Sequence, residues 1–216
     1  MKINEIKISQ ALPQVFVGEP ERNSEVWLQE LSLKRGDFYI IAAESGTGKS
    51  SLCSYIYGSR RDYVGRITFD GRDVSEFTIP EWQEIRRTSL AYLPQELSLF
   101  PELTAMENIR LKNNLTGHAS EAQIEKWLRE LGIDSRSDFP VGKMSVGQQQ
   151  RVGIIRAICQ PFDFIMLDEP VSHLDEGNNR IAAEIITAEA IKQGAGIIAT
   201  SVGNHLMIEA QKILNL

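Results

Sequence analysis

The chain has 216 residues, 42% of them hydrophobic and 24% charged, with a formal net charge of -6. This is the composition of a globular protein able to bury a core, and it excludes collagen-like, disordered and disulfide-scaffold classes. Acidic residues outnumber basic ones by 29 to 23 and no basic cluster stands out, so no nucleic-acid partner is expected, because phosphate neutralisation needs Lys and Arg concentrated on one face.

The length favours one domain with an embedded subdomain over two independent domains. The start, Met1-Lys2-Ile3-Asn4-Glu5-Ile6-Lys7, mixes charge among its apolar residues and lacks the continuous apolar run of a secretion signal. No apolar stretch approaches the roughly 18 residues needed to cross a bilayer; the longest are short runs such as 38–43 and 164–167. A cytoplasmic location is therefore expected, with any membrane role exercised through a partner. Cys53 and Cys159 lie far apart without metal-like spacing and read as two buried thiols in a reducing compartment.

In chain order, Val15-Phe16-Val17 and Val26-Trp27-Leu28 flank the polar stretch 18–24 and read as paired strands. Asp37-Phe38-Tyr39-Ile40-Ile41-Ala42-Ala43 is a β-forming apolar run, then comes a small-residue loop, then a helix over 50–57. Residues 66–74 alternate around Asp70-Gly71, the signal of an antiparallel hairpin. From about 101 to 146 the pattern turns helical, with Ala122, Ile124, Trp127, Leu128 and Leu131 on one face and Gly132 placed as a helix stop. Phe164-Ile165-Met166-Leu167 and Gly196-Ile197-Ile198-Ala199-Thr200 are near-continuous apolar runs, as in central strands of a parallel sheet buried on both faces. The expected class is α/β.

Chemistry enters at Ala43-Glu44-Ser45-Gly46-Thr47-Gly48-Lys49-Ser50, placed between strand and helix as a phosphate loop requires. Gly46 and Gly48 let the backbone curl so that successive N–H groups point inward, and the next helix aims its positive end at the same anion. Lys49 supplies charge for the β- and γ-phosphates, and the Ser50 hydroxyl is placed to ligate magnesium. Ala43 stands where the strict pattern begins with Gly. The strand 164–167 ends in Asp168-Glu169-Pro170. Strand alternation would put the two carboxylates on different sides, Asp168 holding magnesium through water and Glu169 polarising the attacking water.

Together these residues resemble the ATPase subunit of ABC transporters, and the resemblance runs over nearly the whole chain. The family's signature Leu-Ser-Gly-Gly-Gln reads here Met144-Ser145-Val146-Gly147-Gln148, followed by Gln149-Gln150-Arg151. The resemblance implies a P-loop NTPase core with a mostly parallel sheet, an N-terminal antiparallel β-subdomain and a helical insert over about 96–148. It implies that Ser145 to Gln148, at a helix N-terminus, close over the γ-phosphate held by a second subunit, so that two ATP molecules are sandwiched between two copies. Tyr92-Leu93-Pro94-Gln95 resembles the Q-loop, where Gln95 would touch magnesium and the attacking water. Ser172-His173-Leu174-Asp175 resembles the D-loop, with Asp175 at the dimer interface. Ser45, Gly46, Thr47, Gly48 and Ser51 complete the implied phosphate contacts, and Phe16 is placed either to stack on adenine or to sit in a strand core.

One departure bears on rate. The family follows its next strand with Thr-His, a histidine that contacts the γ-phosphate, and here the residues are Ala199-Thr200-Ser201. Ser201 takes the histidine's place, and His205 is expected to be aimed elsewhere by an intervening helix start. Losing a charge-assisted hydrogen bond of about 1.5–3 kcal/mol slows a reaction by about one to two powers of ten. Two functions follow. The first is an ATPase that dimerises around two Mg-ATP and drives an integral-membrane permease. The compact length and Leu99-Phe100-Pro101-Glu102-Leu103-Thr104-Ala105-Met106-Glu107-Asn108 resemble the lipoprotein-release, macrolide-export and cell-division group. The second is a nucleotide-gated scaffold with little hydrolysis, which Ser201 and Val146 motivate.

Overall fold

The computed structural model describes residues 1–19 and 23–216. The first strand, β1 (Glu5–Pro13), alternates inward Ile6 and Ile8 with outward Lys7. It pairs antiparallel with β2 (Glu30–Lys34) on one side and β4 (Tyr63–Phe69) on the other. β4 turns at Asp70 and Gly71, with φ of 48° and 86°, into β5 (Arg72–Asp73), the hairpin expected from the Asp-Gly pair. The resulting sheet runs β2-β1-β4-β5. Its register shifts between Ser9 and Leu12, where Gly65, at φ 84°, has its missing Cβ only 2.2 Å from the Gln10 carbonyl oxygen. No other residue type fits there.

The second sheet is parallel in the order β6-β7-β8-β3-β9. It uses β3 (Phe38–Ala42), β6 (Leu90–Leu93), β7 (Phe164–Asp168), β8 (Gly196–Ser201) and β9 (Lys212–Asn215). The apolar runs are explained by what each face meets. Ile165, Leu167, Ile197 and Ala199 join one core, while Phe164, Met166, Ile198 and Ile41 join the other. Helix α1 (Lys49–Ile56) buries Leu52, Cys53, Tyr55 and Ile56 in the second core, between the two sheets. The first core takes α5 (Val146–Ile158), α6 (Glu176–Gln193) and the helices between β6 and α5.

Those intervening helices are α3 (Ala105–Asn113), capped by Thr104 with Glu107, and α4 (Glu121–Glu130), capped by Ser120 and followed by Gly132 at φ 64°. Before them α2 (Ile79–Thr88) starts on a Thr78–Glu81 capping box. Arg87 in its last turn pairs with Glu84, and Arg86 donates to the Tyr57 and Gly58 carbonyls.

Two expectations are corrected. Val15-Phe16-Val17 and Val26-Trp27-Leu28 are not paired strands. Pro13 ends β1, residues Gln14–Phe16 form one 3-10 turn, and Val15 and Val17 are exposed. On the other side the Ser24 hydroxyl accepts from the Val26 and Trp27 N–H groups, at 3.1 and 2.9 Å, and holds a turn. The middle of the polar stretch between them, residues 20–22, lies outside the described residues. The second correction concerns 202–205: no helix starts there, and the backbone bends sharply through Gly203 at φ 73°.

Candidate functional site

Because β3, β6, β7 and β8 are parallel, their carboxyl ends deliver their following residues to one edge of the sheet, where ligands of such sheets bind. β3 delivers the loop 43–48. Gly46 and Gly48 have φ of 81° and 101°, and Gly48 is the left-handed N-cap of α1. A Cβ at Gly48 would also meet Trp27 at 3.1 Å and Phe16 at 3.2 Å. Ala43, where the motif has Gly, carries no positive φ, so its methyl strains nothing. The Trp27 indole donates to the Thr47 carbonyl at 3.0 Å, and the Thr47 hydroxyl donates to the Glu44 carbonyl at 3.0 Å. Both bonds hold the curl of the loop.

Lys49 is buried in that curl. Its ammonium donates to the Glu44 carbonyl at 2.6 Å and the Ala43 carbonyl at 3.4 Å, and lies 3.8 Å from Glu169 Oε1. Ser45, Gly46 and Ser50 are exposed beside it. The Ser51 hydroxyl accepts from Arg60 at 3.0 Å.

β7 ends on Asp168, whose Oδ1 accepts from the Thr200 hydroxyl at 2.7 Å. Its other oxygen, Oδ2, is buried without a hydrogen-bond partner. A buried carboxylate oxygen without a donor suits a hard cation or its water shell. Among the described residues no three His, Cys, Asp or Glu side chains cluster to hold a metal alone, so a cation here would need phosphate oxygens as well, as magnesium in nucleotide sites does. Glu169 leaves the strand at φ 51°. That left-handed backbone, rather than strand alternation, turns its side chain toward Lys49. Two bonds hold the turn: the Glu169 N–H donates to Thr200 Oγ1 at 3.1 Å, and its carbonyl accepts from Gln150 Nε2 at 3.0 Å. Ser201, last in β8, hydrogen-bonds through its hydroxyl to His205 Nδ1. This overturns the expectation that His205 is aimed elsewhere. Gln95, two residues past β6, is exposed at the same edge.

The signature residues form a second group. Ser145 and Gln148 cap α5 reciprocally, at 3.3 and 3.0 Å, which leaves the Val146 and Gly147 N–H groups without partners inside the helix. Val146 has a helical backbone and points outward, 51% exposed, so it loses nothing that a glycine would provide. Gly147 is different: a Cβ there would lie 2.8 Å from the His173 carbonyl oxygen. Asp175 caps α6 by accepting from Asn178 N at 2.8 Å, and that bond lowers its carboxyl below the ordinary range. Buried Gln150 ties the groups together, since its Oε1 accepts from His173 N at 3.0 Å while its amide reaches Glu169. Phe16, in its 3-10 turn, is half-buried against the phosphate loop and not in a strand core.

Thus the structure gathers Lys49, Ser50, Gln95, Asp168, Glu169 and Ser201 at one edge, and Ser145 to Gln148 against the D-loop beside it. Sequence reasoning gave no role to Thr200, Gln150, Trp27 or Asn179, because each acts by holding a neighbour, although Gln150 and Thr200 lie within the stretches matched to family motifs. For Thr200 the available signal was its position next to Ser201.

The comparisons decide the family. The ABC transporter family matches residues 29–172. The chain belongs to the ABC transporter family. The ABC transporter ATP-binding protein YtrE of Bacillus subtilis is 31% identical over 176 residues, 79% of this chain and 76% of YtrE. The macrolide export ATP-binding/permease protein MacB of Mannheimia succiniciproducens is 30% identical over 206 residues, 93% of this chain but 32% of MacB. The chain thus spans about a third of the MacB relatives it matches. A bacterial ABC transporter cassette solved as a dimer superposes with a TM-score of 0.82 at 24% identity, covering 98% of this chain and 94% of the cassette, which shows the shared ABC cassette fold. No helix among the described residues is long and apolar enough to cross a membrane.

Proposed function

We propose that this cassette binds ATP as its magnesium complex at the carboxyl edge of the parallel sheet and hydrolyses it to drive a membrane permease. The observation that carries this reading is the Lys49 ammonium 3.8 Å from Glu169, beside an Asp168 oxygen left without a donor. Loop N–H groups at Ser45, Gly46, Thr47 and Gly48, with the hydroxyl of Ser51, take the phosphates, and Lys49 places its charge at the β/γ junction. Ser50, Gln95 and Asp168 are the residues that would hold magnesium. When bound, magnesium offsets charge that builds on the phosphate oxygens. Glu169 orients and polarises the attacking water. Ser201 faces the γ-phosphate from β8, and Phe16 stacks on adenine.

Two copies close face to face, with Ser145, Val146, Gly147, Gln148 and Asp175 of each completing the other's site. The close seating of Gly147 on the D-loop carbonyl supports this, because it makes signature and D-loop one continuous surface. Two solved cassettes of the same fold, both dimeric and one bound to ADP and Pi, point the same way. The permease docks in a cleft of about 280 Å³ between α1, β6, α3 and α5, with Tyr57, Tyr92, Leu97, Lys112 and Arg156 in its wall, next to the helical subdomain that runs from about 96 to 148. In this reading the protein works on the cytoplasmic face of the membrane through its partner.

The test is ATP binding and steady-state turnover of wild type and Lys49→Ala. Wild type is expected to bind and turn over ATP, and Lys49→Ala to lose turnover. Failure of wild type to bind ATP, or unchanged turnover in the variant, overturns the reading. Ser201 in place of histidine favours a second reading, a nucleotide-gated scaffold with little hydrolysis; turnover at the rate of ordinary cassettes, with or without the permease, removes it.

A further inference from the structure

We propose that Ser201 and His205 act as one unit on the γ-phosphate of ATP, Ser201 donating the hydrogen bond and His205 positioning and polarising its hydroxyl from behind. The inference rests on the hydrolysis reading above.

Ser201 is 2% exposed and lies between the two halves of the site. On one side it pairs with Ala42, and its carbonyl accepts from the N–H of Ala43, the entry of the phosphate loop, at 3.2 Å. On the other side its neighbour Thr200 pairs with Asp168 and bonds Asp168 and Glu169. The hydroxyl is engaged by His205 Nδ1. The loop that brings the imidazole back is clamped from α6. Asn179, fully buried, donates to the His205 carbonyl at 2.9 Å and accepts from Met207 N at 3.2 Å. It also reaches Asn204 Oδ1 at 3.4 Å, and the bend itself closes with Asn204 N on the Val202 carbonyl at 2.8 Å. A buried amide with these partners fixes where His205 sits.

The chemistry follows from counting protons. A serine hydroxyl has one hydrogen and two lone pairs. When Nδ1 is unprotonated, the hydroxyl gives its hydrogen to the imidazole and turns lone pairs toward any anion in front of it. When Nδ1 carries the hydrogen, the imidazole donates to Oγ, and the hydroxyl hydrogen is released to face the anion. A donor that itself accepts a hydrogen bond is the stronger donor. A phosphate in the site selects the second arrangement, in which His205 occupies a lone pair of Ser201 Oγ, aims its hydrogen at the anion and makes the hydroxyl a stronger donor than an unsupported serine. No bond to phosphorus is made by either residue. The contact strengthens as charge grows on the equatorial oxygens, so it acts on turnover more than on binding.

The experiment uses the full chain, comparing wild type, His205→Ala, His205→Asn, Ser201→Ala and the double Ser201→Ala/His205→Ala variant. The readouts are kcat, KM, the equilibrium dissociation constant for ATP, and the melting temperature. His205→Ala is expected to lower kcat by up to about 10-fold, because the hydroxyl keeps its hydrogen but loses its aim and polarisation, with ATP affinity changed by less than about twofold. His205→Asn, whose side-chain amide can donate from the same place, is expected to recover most of kcat. Ser201→Ala is expected to lower kcat about 10- to 100-fold, the size of one charge-assisted hydrogen bond, and the double variant to match Ser201→Ala, because His205 acts only through that hydroxyl. Unchanged kcat in His205→Ala, additive losses in the double variant, or parallel loss of kcat and ATP affinity each overturn the proposal. Failure of the broader reading looks different, since wild type would then show no turnover dependent on Lys49.

Discussion

Thr200→Val removes one oxygen from the end of β8 and leaves the shape of the side chain nearly unchanged. The hydroxyl is wholly buried and makes two bonds, donating to Asp168 Oδ1 at 2.7 Å and accepting from Glu169 N at 3.1 Å. A hydrogen bond to a charged group contributes about 1.5–3 kcal/mol and a neutral one about 1 kcal/mol. Because Asp168 Oδ2 already lacks a donor, valine would leave the whole buried carboxylate without one, so the larger values apply, about 3–4 kcal/mol in total. For a chain of this size each kcal/mol moves the melting temperature by about 2–4 °C, so calorimetry without nucleotide should show a fall of about 6–16 °C. Added Mg-ATP should recover part of that fall, since the cation and its water would supply the carboxylate with partners. Turnover should also drop, because the N–H anchor that holds Glu169 in its left-handed turn is gone. Thr200→Ser keeps the hydroxyl, gives up one methyl, and should cost about 1 kcal/mol. A melting temperature for Thr200→Val within about 2 °C of wild type would refute the argument that this hydroxyl holds Asp168.

Gly147→Ala should lower ATP turnover on the order of 100-fold with little change in melting temperature, since a Cβ 2.8 Å from the His173 carbonyl pushes the signature turn off the D-loop; wild-type kcat would contradict it. Gly65→Ala should destabilise by about 3 kcal/mol or more in urea unfolding, as φ is 84° and the Cβ would lie 2.2 Å from a backbone oxygen. Burial, reinforced by the charge of Asp168, pushes the Cys53 thiol well up, and burial pushes Cys159 up to about 12. Neither should react with a thiol reagent near neutral pH until the protein unfolds, and labelling of the folded protein would disprove this. Burial pushes Glu189 up, but the His118 hydrogen bond and the Lys192 charge outweigh it and hold the carboxyl below its ordinary 4.5. With the folded value depressed, this stabilisation is complete above pH 4.5 and lost as pH falls through the folded value. The stability gap between wild type and His118→Ala should therefore narrow as pH falls below 4.5, and a constant gap would sink the assignment.

The parallel sheet and phosphate loop were legible because their patterns follow from burial. Phe164-Ile165-Met166-Leu167 is apolar at every position since each face of β7 meets its own core, and Gly46 and Gly48 mark positive φ in the loop. The N-terminal strands were misplaced for an equally physical reason. Val15-Phe16-Val17 and Val26-Trp27-Leu28 look like strands locally, but Pro13 and the Ser24 hydroxyl end extended structure at both places. What survives of that segment is two rings, Phe16 and Trp27, brought onto Gly48 from turns. That convergence depends on tertiary packing, which a local pattern does not carry.

The same limit separates the two kinds of departure from the family pattern. Ala43 and Val146 replace glycines where the backbone has no positive φ, and Val146 points into solvent, so these departures carry little weight. Gly147 stands where a carbonyl presses against its Cα, and there the pattern is kept. Ser201 is a departure of another type, since its meaning depends on a residue four positions on. A helix after β8 would have carried His205 away. The bend at Gly203, held by Asn179, returns it instead. Whether the missing histidine matters therefore turns on a loop conformation, and a serine backed by an imidazole is chemically a different residue from a serine alone.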